Sequence, residues 1–80
     1  MRLPRDVEPA RLISALSVLG YTPTRQTGSH IRVTTETCGQ HQEVTPNHKP
    51  IKIGTLQSIL SSVAAHHRMT VDELLAMLKL

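Results

Sequence analysis

The chain contains no phenylalanine and no tryptophan, and Tyr21 is its only tyrosine. Modules that grip single-stranded nucleic acid by stacking bases on several aromatic rings are therefore excluded. The core must be built from Leu, Ile, Val, Met and Ala. Cysteine is equally scarce, for Cys38 alone can close no intramolecular disulfide and has no partner for a zinc or redox pair. Six carboxylates are present. Asp6, Asp72 and Glu73 fall where helices should begin, and Glu8, Glu36 and Glu43 are too scattered for the acidic cluster of two-metal nuclease chemistry. Gly-rich phosphate loops ending in Lys-Ser/Thr, His-Glu-x-x-His and Gly-x-Ser-x-Gly are all missing. The longest apolar run, Leu74-Leu75-Ala76-Met77-Leu78, is far short of the roughly 20 residues that cross a bilayer. The opening Met1-Arg2-Leu3-Pro4-Arg5-Asp6 is charged and proline-broken, unlike a secretory signal, so a soluble cytoplasmic protein is expected.

What remains is small and basic. Eighty residues are room for one domain, spanning 1–80, with a modest core. Nine Lys and Arg against six Asp and Glu give a net charge of +3 before any of the five histidines is protonated, which favours an anionic partner.

Apolar periodicity divides the chain. Leu12, Ile13, Leu16 and Leu19 mark a first helix, with Asp6 as its expected cap, Pro9 in its first turn and Gly20 as its stop. From Tyr21 to Pro46 the chain is rich in Thr and Val, and Thr27-Gly28-Ser29 and Thr37-Cys38-Gly39 read as turns between three short strands. In the middle strand Ile31 and Val33 alternate with His30, Arg32 and Thr34, so the aliphatic side chains share one face and His30 and Arg32 the other. The third strand, near His41 to Thr45, is expected to present Val44 inward. Pro46-Asn47-His48-Lys49-Pro50 reads as an exposed loop. Leu56, Leu60, Val63 and Ala64, flanked by Ile53 and Ile59, mark a second helix whose exposed face is Gln57, Ser58, Ser61 and Ser62. A third opens with the capping box Thr70-Val71-Asp72-Glu73 and turns Val71, Leu74, Leu75 and Leu78 to the core. The expected class is α+β: a three-stranded antiparallel meander with helices on one face, in the order α-β-β-β-α-α.

The chemistry rests on histidine. His30 and Arg32 lie two strand steps apart, about 6.6 Å, close enough to address one small anion, and Arg25 is expected opposite them on the first strand. An imidazole that exchanges protons near neutral pH, beside cations that stabilise a phosphorane-like charge, is what RNA cleavage by an internal 2′-hydroxyl requires. The plainer reading of His30 is an exposed polar strand residue. His48, Lys49 and Lys52 lie ahead of a helix N-terminus, where phosphate can be held, or form an ordinary solvated loop. His41, His48 and the His66-His67 pair suggest a metal, but adjacent helical residues point about 100° apart, so His66 and His67 are expected to be a solvated helix end.

Taken in order, Gly20-Tyr21, Arg25-Gln26-Thr27-Gly28-Ser29-His30, Val44-Thr45-Pro46-Asn47-His48 and Lys52-Ile53-Gly54-Thr55-Leu56 resemble the HicA family of toxin messenger-RNA ribonucleases, and the likeness runs from about Leu3 to Leu78. The resemblance implies a fold like the double-stranded-RNA-binding domain, with the active site on its sheet. It also implies endonucleolytic cleavage of messenger RNA, His30 as the catalytic histidine, and a HicB-like antitoxin as the blocking partner; because the sequence holds no metal-binding cluster, cleavage is expected to need no metal or other cofactor. Arg25, Ser29, Arg32, His48, Lys49 and Lys52 are the expected RNA and phosphate contacts. Two alternatives keep the fold: a non-catalytic RNA-binding or regulatory module, and a protein-interaction domain whose sheet face meets only a partner.

Overall fold

The computed structural model describes residues 3–47 and 49–80. Helix α1 (Pro9–Leu16) runs into a 3-10 turn (Ser17–Leu19), followed by strands β1 (Thr22–Thr27), β2 (His30–Thr35) and β3 (His41–Pro46), then helices α2 (Ile53–His66) and α3 (Val71–Leu78). The strands form one antiparallel sheet in the order β1-β2-β3. This is the expected α+β architecture and element order.

The core lies between the sheet and the helices. Leu12 and Leu16 of α1, Leu56, Ile59, Leu60 and Val63 of α2, and Leu74 and Leu78 of α3 close over Val33 and Tyr21, all buried. With Phe and Trp absent, Tyr21 is the largest of the fully buried side chains. Each fully buried Leu or Val contributes about 1.5–3 kcal/mol of transfer free energy.

The helix starts follow local chemistry. Pro9 sits in the first turn of α1 and forces the residue before it to be extended, so Glu8 becomes the N-cap, without a side-chain capping bond. Asp6 therefore falls too early to cap α1, a correction to the sequence reading, and it carries a left-handed φ of 58° instead. The capping box of α3 forms as read. The Thr70 amide donates to Glu73 Oε1 at 2.8 Å and the Glu73 amide to Thr70 Oγ1 at 3.1 Å. Those bonds hold the Glu73 carboxyl below the usual range. Gly20 ends the first helical segment at φ 86°, and a Cβ there would lie 2.8 Å from Thr35 Oγ1 and 2.9 Å from Thr37 Oγ1, so no other residue fits.

The strands reveal a phase problem and its solution. Tyr21 must enter the core, whereas Arg25 and Thr27 face the other side with Arg32 and His30, their pairing partners. A regular strand would put Tyr21, Arg25 and Thr27 on one face. A β-bulge between Pro23 and Arg25 inserts Thr24 and switches the face, and Thr24 Oγ1 lies 2.9 Å from Thr34 Oγ1.

Strand β3 runs in the phase opposite to that expected. Val44 pairs with Arg32 and points outward, 45% exposed, while Thr45 is buried. The inward positions are His41, Glu43 and Thr45, because His41 and Glu43 engage polar partners on α2. Pro46, expected in the loop, ends β3 opposite His30. Ile53, expected beside the apolar stripe, is 50% exposed at the start of α2.

Candidate active site on the open face of the sheet

The turn at Gly28-Ser29 sets the site. Because β1 and β2 pair tightly about it, Thr27 stands opposite His30 and Arg25 opposite Arg32. Arg25, Thr27, His30, Arg32 and Val44 together line an open pocket of about 130 Å³ on the sheet face away from the helices. Two guanidiniums and one imidazole converge there, with Val44 as apolar wall. His30 is exposed and Arg32 half-buried. All of β1 is exposed, so the pocket is approached across an uncovered edge strand.

The remaining expected contacts surround this pocket without lining it. Ser29 occupies the turn, and its carbonyl accepts from the Asn47 amide at 2.6 Å, which brings the β3–α2 connection to the His30 end of the sheet. Lys49 and Lys52 are exposed in that connection, and Lys52 is the N-cap of α2. His48 lies outside the described residues. Thr27 and Val44 are not among the site residues expected from the sequence. Thr27 could have been found by counting back across the two-residue turn, and Val44 was assigned to the wrong face.

The other histidines are held elsewhere. His41 pairs with Thr35, at the opposite end of β2 and β3 from His30, on the helix side of the sheet. His66 and His67 are half-buried against it and do not form a fully solvated helix end, which corrects the sequence reading. The same holds for Ser62, whose hydroxyl turns in to Glu43 and lies 3.2 Å from His41 Nε2. Among the described residues no group of three His, Cys, Asp or Glu side chains is arranged to hold a metal ion. A larger hollow of about 330 Å³ lies between the N-terminal segment and α3, lined by Leu3, Pro4, Arg5, Leu75 and Leu80. It offers no group that exchanges protons near neutral pH.

A small α+β domain with one imidazole between guanidiniums on an open sheet face is built to receive an anion beside a proton carrier. The family model described as the HicA toxin of bacterial toxin–antitoxin matches residues 10–64, more than half of the chain. The protein belongs to the HicA toxin family, so it is a toxin of the toxin–antitoxin class. The matched segment runs from α1 nearly to the end of α2 and contains the whole pocket, while α3 lies beyond it. Searches of curated proteins and of solved structures return no match.

Proposed function

We propose that the protein is a metal-independent endoribonuclease that cleaves messenger RNA at the His30 pocket. The observation that carries this reading is the convergence of Arg25, His30 and Arg32 in one open pocket. The scissile phosphate sits between Arg25 and Arg32. His30 takes the proton of the ribose 2′-hydroxyl as that oxygen attacks phosphorus, and the 5′ oxygen leaves with a proton from water. The products carry a 2′,3′-cyclic phosphate and a 5′-hydroxyl. The two guanidiniums neutralise the charge that grows on the phosphorane oxygens. Ser29, Lys49 and Lys52 contact the RNA backbone beside the pocket, with His48 as a further contact expected from the sequence, and each lysine contact adds to the salt dependence of binding. No carboxylate lines the pocket, so chelators should leave cleavage unchanged.

The partner is a HicB-like antitoxin covering the His30 face. A site this open needs only to be occluded, and an acidic surface complements its cations. Cleavage and its silencing take place in the cytoplasm.

Incubation of purified protein with RNA, beside His30→Ala shown by circular dichroism to be folded, tests the reading. A well-placed acid–base group is worth about 10²–10⁴ in rate, so the variant should lose cleavage by that factor. The single proton carrier in the pocket favours one alternative, a non-catalytic RNA-binding module. That reading requires equal RNA affinity and intact RNA with both proteins.

A further inference from the structure

The three histidines that the proposed cleavage does not use form one cluster with Tyr21. Its oxygen lies 2.7 Å from His41 Nδ1 and 3.1 Å from His67 Nε2. His41 Nε2 lies 3.2 Å from Glu43 Oε2 and 3.2 Å from Ser62 Oγ, and the Ser62 hydroxyl donates to the same carboxylate. His66 stacks on His41 with ring centres 4.4 Å apart and planes 15° from parallel. Its Nε2 reaches the carbonyls of Thr37 and Gly39 at 3.1 and 3.0 Å. These contacts join the end of α2 to the start of β3 and to the β2–β3 turn.

A count of protons shows what the cluster tolerates. Glu43 and the two carbonyls accept only, so His41 and His66 each carry a proton on Nε2. Neutral His41 then accepts the Tyr21 proton at Nδ1, and His67 donates to the phenol oxygen. If His41 gains a proton, the chain reverses: His41 donates to Tyr21, and Tyr21 donates to His67 Nε2. One added proton is thus accommodated on either ring, because a protonated His67 beside neutral His41 still donates to the phenol, whose own proton goes to His41 Nδ1. With both rings protonated, both imidazoles donate to the phenol oxygen, and the proton of the fully buried Tyr21 has no acceptor.

We infer that this cluster is an acid-sensitive latch: it fastens the last turn of α2 to the sheet while no more than one of His41 and His67 carries an added proton, and proton gain at the second releases that turn. The charged and titratable neighbours agree. From β3 come His41 and the only carboxylate in contact, Glu43; from α2 comes His66; and Tyr21 stays a neutral phenol, its pKa pushed up to about 12 by burial and by Glu43. Glu36 and Cys38 of the turn, and Arg68 after His67, are exposed and make no ion pair among the described residues. Burial first, then the neighbouring His66 and His41, lower the pKa of His67 below its ordinary 6.5. The unfolded chain therefore takes up the proton more readily than the native one, so the contribution is present above about pH 6.5 and is lost as pH falls below it.

Amide hydrogen exchange of the full-length protein at pH 7.5 and 5.5, corrected for intrinsic rates, tests the latch. Protection at Val63 to His67 and at Gly39 to His41 should fall about tenfold at the lower pH, while the paired amides of β1 and β2 change little. His67→Gln, whose amide donates or accepts without titrating, should keep its protection at both values. Uniform loss across the chain, no loss, or the same local loss in His67→Gln overturns the inference. A titration of the His67 ring by NMR in the native chain is the second arm. A midpoint at or above the ordinary histidine value contradicts the latch even if the variant does not fold.

Discussion

The two faces of the sheet use the same side chain in opposite ways. On the open face His30 stands exposed, with guanidiniums beside it and no side chain bonded to its ring among the described residues. On the helix face His41 and His67 meet at Tyr21, His41 also contacts Glu43 and Ser62, and His66 is tied to two carbonyls. The imidazole without a side-chain partner lines the candidate pocket. Those whose nitrogens are committed to protein partners belong to the fold. Residue type therefore says little about a histidine; the partners of its two nitrogens say nearly everything.

That contrast can be broken from either side. The largest effect expected after loss of His30 itself is at Arg32. Arg32→Ala removes one of the cations that stabilise the developing charge, and steady-state cleavage should fall about 10²-fold or more with the unfolding midpoint unchanged. A wild-type rate would remove Arg32 from the proposed mechanism. Tyr21→Phe addresses the other face, where it strips both hydrogen bonds from His41 and His67 without changing the packing volume. Urea unfolding should show a loss of about 1–3 kcal/mol, while cleavage by the protein that remains folded stays near wild type. Should activity fall instead, the two faces are coupled and the division drawn here is wrong. The smallest effect concerns Thr45, whose buried hydroxyl has no hydrogen-bond partner among the described residues. Thr45→Val should stabilise the protein by about 1 kcal/mol in the same assay, and a destabilised variant would mean that the hydroxyl does have a partner.

The sequence was legible where one physical signal acted alone. Alternation of Ile31 and Val33 with His30 and Arg32 placed the middle strand correctly, and with it half of the pocket. The Thr70–Glu73 box announced α3, and the glycine turns divided the sheet. It failed where two signals competed. Val44 is the most apolar residue of its strand, yet β3 turns His41, Glu43 and Thr45 inward because His41 and Glu43 find polar partners there. No apolar count reveals a preference made of tertiary hydrogen bonds. The same partners hide the half-buried state of Ser62, His66 and His67, which local spacing assigned to solvent. The Thr24 bulge is equally silent in the sequence, since its cause is the separate demand that Tyr21 face the core and Arg25 face the pocket.

The central claim is that chemistry resides at His30 and not in the cluster behind the sheet. It is tested most directly by comparing the 3′ ends of RNA fragments from native protein, His30→Ala and His67→Gln, by mass spectrometry, with chelator present throughout. The account predicts 2′,3′-cyclic phosphate ends from native protein and His67→Gln and uncut RNA with folded His30→Ala. Fragments from His30→Ala at the native rate, or only 5′-phosphate products from native protein, would contradict it.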